Sequence, residues 1–212
     1  MTKDYSLYLV TDTAMCAPQG IPTVVASLIP HGISCVQLRM KEASTTTLLA
    51  VGYTLKTLLN AHPIKLIIND HIDIAKQLDA DGVHLGQDDA SISEARAILG
   101  AKKIVGLSLE NLQQAKEFAN ADVDYFGIGP IFPTTTKAFA APAIGIDALR
   151  DFRHLIDKPL VAIGGIHHKN VNSVLQTGVD GIATVSAILA DANPPQACRK
   201  LHTFIKEYQF AQ

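Results

Sequence analysis

Residues 82–99 read Gly82-Val83-His84-Leu85-Gly86-Gln87-Asp88-Asp89-Ala90-Ser91-Ile92-Ser93-Glu94-Ala95-Arg96-Ala97-Ile98-Leu99, and they contain one whole strand–loop–helix unit. Gly82–Leu85 is a short apolar β-type run without strict alternation, as expected of a strand covered on both faces. Ser91 and Glu94 have the capping-box spacing that opens a helix, and Ala95, Ala97, Ile98 and Leu99 continue it. The polar loop between them follows the strand and precedes the helix.

The same unit recurs along the chain. Further β-type runs are Leu7–Val10, Cys35–Leu38, Lys65–Ile68, Ile104–Leu107, Tyr125–Ile128, Leu160–Ile163 and Gly181–Val185, which makes eight in all. Helical spacing falls between them. It runs over Ile21–Ile29, Thr45–Asn60, Asn111–Asn120, Asp147–Leu155, Asn170–Gln176 with Gly178 as the residue that ends it, and from Pro194 or Pro195 to Tyr208. Spread over 212 residues, eight units have about 26 residues each, enough for one strand, one helix and two loops. No linker or low-complexity segment interrupts the series. The expectation is α/β, a single (β/α)8 TIM barrel domain over residues 1–212, with a doubly wound open sheet as the alternative.

Composition limits what such a barrel can do. Hydrophobic residues are 48% of the chain and charged residues 18%, which excludes a disordered or coiled-coil chain. The net charge of -2 gives no bulk attraction to nucleic acid or to a membrane surface, so an anion must be held by a local group of residues. No apolar run is long enough to span a bilayer. Met1–Tyr5 lacks the features of a signal peptide, and the three cysteines are widely spaced without a C-x-x-C pair. The expected location is therefore a reducing cytoplasm.

In a (β/α)8 barrel the active site gathers at the C-terminal ends of the strands. Here polar or glycine-rich residues follow nearly every strand: Thr11-Asp12, Gln37 to Lys41, Asn69-Asp70, Gly86 to Asp89, Ser108, Gly129 to Lys137, Gly164-Gly165, and Val185-Ser186. Arg39 and Lys41, two apart, point the same way on an extended strand end, and a guanidinium grips phosphate bidentately. Asp70 and Asp89 follow successive strands and can supply hard oxygen ligands of the kind Mg2+ uses. Each can instead cap the next helix, and composition does not separate Asp88 from Asp89. Gly164-Gly165 with the eighth strand's end, and the threonines 134–136 before Lys137, form a second candidate anion site.

Other features carry less. No H-E-x-x-H or Cys/His spacing supports zinc, and Ser108 lacks the G-x-S-x-G context of a nucleophile. Gly127-Ile128-Gly129 does not continue as a dinucleotide fingerprint, and nothing near Cys16 argues for an activated thiol. His84, between Val83 and Leu85, reads as a satisfied interior histidine.

Taken in order, Tyr8-Leu9-Val10-Thr11-Asp12, Gln37-x-Arg39-x-Lys41, Ile68-Asn69-Asp70, Gly82 to Gln87 with Asp89, Gly106-Leu107-Ser108, Gly127 through Lys137, Ala162 to Ile166, and Asp180 to Ile188 resemble the thiamine phosphate synthase family over almost the whole chain. The segment Gly129-Pro-Ile-Phe-Pro-Thr-x-Thr-Lys137 is the most specific part. The resemblance implies a transferase that joins 4-amino-5-hydroxymethyl-2-methylpyrimidine diphosphate to 4-methyl-5-(2-phosphoethyl)thiazole and releases pyrophosphate. It implies Gln37, Leu38, Arg39, Met40, Lys41, Asn69, Ser108 and Lys137 for the pyrimidine diphosphate. Among these, Arg39, Lys41, Ser108 and Lys137 are the catalytic group. It implies Thr134, Thr135, Thr136, Gly165, Val185 and Ser186 for the thiazole phosphate, and Asp70 and Asp89 as ligands of Mg2+. The expected partners are these two phosphorylated small molecules, without nucleic acid or membrane; a homodimer stays open.

One departure stands out. Family members commonly carry an acidic residue two positions after the loop lysine, whereas Lys137 is followed by Ala138-Phe139-Ala140-Ala141, so the closing loop is expected to differ in order or contacts. Two other readings are a thiazole tautomerase and a non-catalytic thiazole phosphate-binding regulatory barrel. The tautomerase has no need of Arg39, Lys41, Asp70, Asp89 and Lys137 together, and the regulatory barrel predicts erosion at those positions.

Overall fold

In a computed structural model of the chain, residues 4–136 and 142–210 are described. The strands are β1 (Leu7–Val10), β2 (Cys35–Leu38), β3 (Lys65–Asn69), β4 (Gly82–Leu85), β5 (Ile104–Leu109), β6 (Tyr125–Ile128), β7 (Leu160–Ala162) and β8 (Gly181–Thr184). Around them run α1 (Ile21–Leu28), α2 (Thr45–Leu59), α3 (Ile72–Gln77), α4 (Ile92–Leu99), α5 (Leu112–Phe118), α6 (Gly145–Leu155), α7 (Val171–Leu175), α8 (Ser186–Leu189) and α9 (Pro194–Phe210). All strand pairings are parallel, and β1 pairs with both β2 and β8, so the sheet closes. That closure rules out the open doubly wound alternative. The short helix α8 was not legible as periodicity, because four residues are little more than one turn. No helix among the described residues is long and apolar enough to cross a membrane.

Every strand is buried on both faces, which is why the apolar runs do not alternate with polar residues. Side chains such as Leu7, Leu9, Leu38, Val83 and Ile182 face the helices. Tyr8, Val10, Cys35, Ile67, Ile104, Tyr125, Val161 and Ala183 fill the barrel interior with Tyr5. Helix starts are fixed by local chemistry: Ser44 accepts the Thr47 N–H at α2, Ser91 the Glu94 N–H at α4 and Asn111 the Gln114 N–H at α5.

The N-terminal rim repeats one device four times. The residue just before each even-numbered strand sends its side chain to a backbone N–H of the preceding odd-numbered strand. Ser34 Oγ accepts from Leu7, Asp81 from Leu66, Asp124 from Val105 and Asp180 from Leu160, at 2.8–3.1 Å. Each of the four also donates its own N–H to the carbonyl of that same partner. The three carboxylates are further paired, with Lys65, Arg96 and Arg153 respectively. This rim ties the strands in pairs and leaves the opposite rim to the loops.

Candidate active site

The C-terminal rim opens into a cavity of about 420 Å3 whose wall draws on strand ends all round the barrel. At the β3–β4 corner, Asn69 ends its strand and Asp70 follows with φ 65, a left-handed conformation unusual outside glycine but tolerated by Asp. Its N–H donates to the His84 carbonyl, which fixes the turn. Burial first, and then the adjacent Asp89 carboxyl, push the Asp70 carboxyl up to about 6, while Lys41 pulls the other way. Asp89 Oδ2 accepts the Gly86 N–H at 2.6 Å. Neither acid caps a helix by its side chain, because His71 precedes α3 without a side-chain cap and Ser91 caps α4. Asp88 also lines the cavity, but it is Asp89 whose carboxyl meets Asp70.

Arg39 and Lys41 line the wall beside this corner. Thr11 braces the Arg39 backbone in both directions: its hydroxyl oxygen accepts the Arg39 N–H at 2.9 Å, and its O–H donates to the Arg39 carbonyl at 3.3 Å. Asp12 lies 3.9 Å from the guanidinium, a loose pair at a partly exposed edge that leaves Arg39 donors for an anion.

A buried polar chain crosses the floor. Gln37 Nε2 donates to the Tyr8 hydroxyl at 3.0 Å, and the Tyr8 and Tyr125 hydroxyls share a bond of 2.8 Å. Tyr125 meets His84 Nδ1, and His84 Nε2 meets Ser108 Oγ, each at 2.8 Å. His84 is thus the satisfied interior histidine expected from its strand position. Tyr8 and Tyr125 were missed as wall residues: 117 positions separate them, and only barrel closure joins them.

The opposite corner is built on Gly164 (φ 101) and Gly165 (φ 63). A Cβ at Gly164 would lie 2.6 Å from Pro130 Cα, and one at Gly165 2.7 Å from Phe132 Cβ, so glycine lets the loop after β6 pack on the loop after β7. Ile131 and Phe132 extend the pairing by donating to the Ile163 and Gly164 carbonyls. Asn170 Nδ2 donates to the Gly165 carbonyl at 2.9 Å. Thr136 donates its hydroxyl to Ser186 Oγ at 3.4 Å, bringing the threonine loop to the start of α8. The first N–H groups of that helix have no intrahelical acceptor.

The cavity wall thus includes Gln37, Arg39, Lys41, Asn69, Asp70, Asp89, Ser108, Thr134, Thr136, Gly165, Val185 and Ser186 of the residues expected from sequence. Leu38 and Met40 do not line it: the Leu38 side chain is buried in the helix-facing core, and Met40 packs on that core. Alternation explains this, since Gln37 and Arg39 take the inward positions. Thr135 points to solvent, and Lys137 with 138–141 lies outside the described residues. Among the described residues no group of three or more His, Cys, Asp or Glu side chains could hold a metal by itself. Asp70 and Asp89 are the two carboxylates in contact at this corner.

The family model described as thiamine monophosphate synthase matches residues 7–188. A thiamine-phosphate synthase of Syntrophomonas wolfei is 43% identical over 201 residues, covering 95% of this chain and 96% of the relative. One from Albidiferax ferrireducens is 44% identical over 199 residues, covering 94% and 91%. The solved structure of thiamine phosphate pyrophosphorylase from Pyrococcus furiosus superposes with a TM-score of 0.89 at 34% identity, over 97% of this chain and 98% of that one.

Proposed function

The chain belongs to the thiamine monophosphate synthase family, and on that premise we propose how its own residues make thiamine phosphate. The activity is that of a transferase with thiamine phosphate as product. The substrates we assign are 4-amino-5-hydroxymethyl-2-methylpyrimidine diphosphate and 4-methyl-5-(2-phosphoethyl)thiazole. One observation carries this assignment: a single cavity has a carboxylate corner beside two cationic side chains at one end, and a glycine–threonine corner at the other.

The crowding of Asp70 against Asp89 is the arrangement a divalent cation relieves, and two carboxylates with substrate phosphate oxygens suit Mg2+. When bound there, Mg2+ would neutralise charge on the diphosphate as it leaves. Arg39 and Lys41 bind the same diphosphate, joined by Lys137 on the strength of the family resemblance. Ser108 and Asn69 orient the pyrimidine diphosphate. The bond from the pyrimidine methylene to oxygen breaks with its electron pair going to the departing pyrophosphate. The aminopyrimidine ring delocalises the positive charge left on that carbon. The thiazole nitrogen then supplies the pair that forms the new C–N bond. That nitrogen carries no proton, so this step needs no strong general base. Thr134, Thr136, Gly165, Val185 and Ser186, with Thr135 by resemblance, hold the thiazole phosphate through hydroxyl and backbone N–H donors. Catalysis by this set is positioning and electrostatic stabilisation.

The test is incubation of the folded protein with both precursors and Mg2+. Equal amounts of thiamine phosphate and pyrophosphate are expected, and none when the metal is chelated. Absence of product with metal present contradicts the assignment.

A further inference from the structure

The chain Gln37–Tyr8–Tyr125–His84–Ser108 joins two opposite walls of the cavity through buried groups, and its proton count restricts what its ends can do. Burial holds the Tyr8 and Tyr125 hydroxyls well above their ordinary range, so each keeps one proton to donate. A neutral His84 has one N–H and one bare nitrogen, whereas an imidazolium would donate from both and turn the Tyr125 proton toward Tyr8. Four hydrogen bonds must be filled from these donors. With Gln37 Nε2 donating to Tyr8, the Tyr8 proton goes to Tyr125, that of Tyr125 to His84 Nδ1, and the His84 Nε2–H to Ser108 Oγ. Ser108 is left with its O–H to donate into the cavity, and Gln37 with its Oε1 to accept from it. If Tyr125 donates to Tyr8 instead, the Tyr8 proton is left with the Cys35 thiol, a weak acceptor. Full reversal requires the Gln37 amide to turn over, both tyrosines to re-point and His84 to change tautomer together.

The neighbouring strands make room for this chain. A Cβ at Gly106 would lie 2.3 Å from Tyr125 Cζ, and one at Gly127 3.0 Å from His84 Cε1. The Tyr125 ring is also held between those of His84 and Tyr5, at centroid distances of 5.4 and 4.6 Å.

We propose that Tyr8, Tyr125 and His84 are positioning residues that lock Gln37 and Ser108 into opposite hydrogen-bonding senses. The lock selects a ring that donates to Gln37 and accepts from Ser108. A 4-aminopyrimidine offers that pattern, with a donating amino group and accepting ring nitrogens. Its 4-oxo counterpart accepts at the exocyclic position. To satisfy it, Gln37 must present Nε2 in place of Oε1, and where the amide turns over to do so the reversal reaches Ser108 through the chain. The lock therefore extends a mismatch at one atom to both ends of the subsite. This inference rests on the pyrimidine reading of the cavity given above.

Two measurements test it. In 15N-histidine-labelled wild-type protein, the His84 signals, assigned by their loss in His84→Asn, should show the Nε2–H tautomer. This is expected in the free protein and with the 4-amino pyrimidine diphosphate bound in the absence of thiazole. An Nδ1–H tautomer in the amino complex overturns the proposal. Calorimetry then compares the dissociation constants of the 4-oxo and 4-amino pyrimidine diphosphates. Tyr125→Phe and Tyr8→Phe each keep the ring but cut the chain, so the preference for the amino compound should fall at least about tenfold in either. A preference unchanged in both, or an equal loss of affinity for both compounds, overturns the lock. If neither pyrimidine binds wild-type protein, the substrate assignment fails, while the tautomer of the free protein still reports on the lock.

Discussion

The two rims of this barrel use the same side chain for opposite ends. At the N-terminal rim, Asp81, Asp124 and Asp180 each hold a backbone N–H of the neighbouring strand and pair with Lys65, Arg96 or Arg153. Their charge is matched by donors on the protein itself. At the C-terminal rim, Asp70 sits in a left-handed turn with Asp89 beside it, and its carboxyl is pushed up to about 6. Here two acids sit together, and Lys41, Asn69 and the Gly86 N–H offset only part of their crowding. Carboxylates supplied with donors stabilise the fold, whereas carboxylates crowded at a cavity are disfavoured in the folded state and so point to function.

This contrast can be broken residue by residue. The largest effect is expected from Asp70→Asn, which should reduce the rate of thiamine phosphate formation on the order of a thousandfold, measured as kcat/KM with saturating Mg2+. A rate within tenfold of wild type would remove Asp70 from the metal assignment. At the other rim, Asp124→Ala strips acceptors from the Val105 N–H and from Arg96. It should cost about 2–3 kcal/mol in urea unfolding and leave kcat/KM per folded molecule unchanged. An effect on rate without one on stability would reverse the assignment of the rims.

Acidity gives the next effect. Ionised Asp70 is disfavoured in the folded protein but not in the unfolded chain, so this group lowers stability as pH rises from 3.8 to about 6. Below about 6 the protonated carboxyl also competes with a cation. Affinity for Mg2+ with pyrophosphate should therefore weaken by up to about tenfold per pH unit there beyond the ligand's own protonation, and Asp70→Asn should keep only the ligand's part of that slope. Calorimetry from pH 5 to 7.5 reads it, and equal slopes in both proteins would contradict it. The smallest effect is expected from Ser34→Ala, which removes the uncharged copy of the lower-rim device and should cost about 1 kcal/mol. A loss as large as that of Asp124→Ala would mean that charge adds nothing at this rim.

Much of this architecture was legible in the sequence. Runs such as Leu7–Val10 and Gly82–Leu85 are apolar throughout because both faces are covered, and the polar residues fall at one phase of the repeat. That phase was enough to bring Arg39, Lys41, Asp70, Asp89, Ser108 and Gly165 to one rim. It was not enough to separate Asp89 from Asp88, which depends on how one turn closes through the Gly86 N–H. Nor did it show that Leu38 and Met40 turn toward the helices while Gln37 and Arg39 turn inward. The lower-rim residues were visible only as ordinary polar residues before Cys35, Gly82, Tyr125 and Gly181. Their role depends on hydrogen bonds to a strand some 15 to 27 positions away. Tyr8 and Tyr125 were hidden for the same reason, since strand alternation shows that a residue points inward but not what it meets there.

The division between the rims is tested most directly by the melting temperature of Asp70→Asn at pH 7 without Mg2+, set beside wild type. Removing one of two crowded carboxylates should leave that temperature equal or higher, while activity should be nearly lost. A clear fall, of the kind expected for Asp124→Ala, would show that Asp70 supports the fold and would contradict the account.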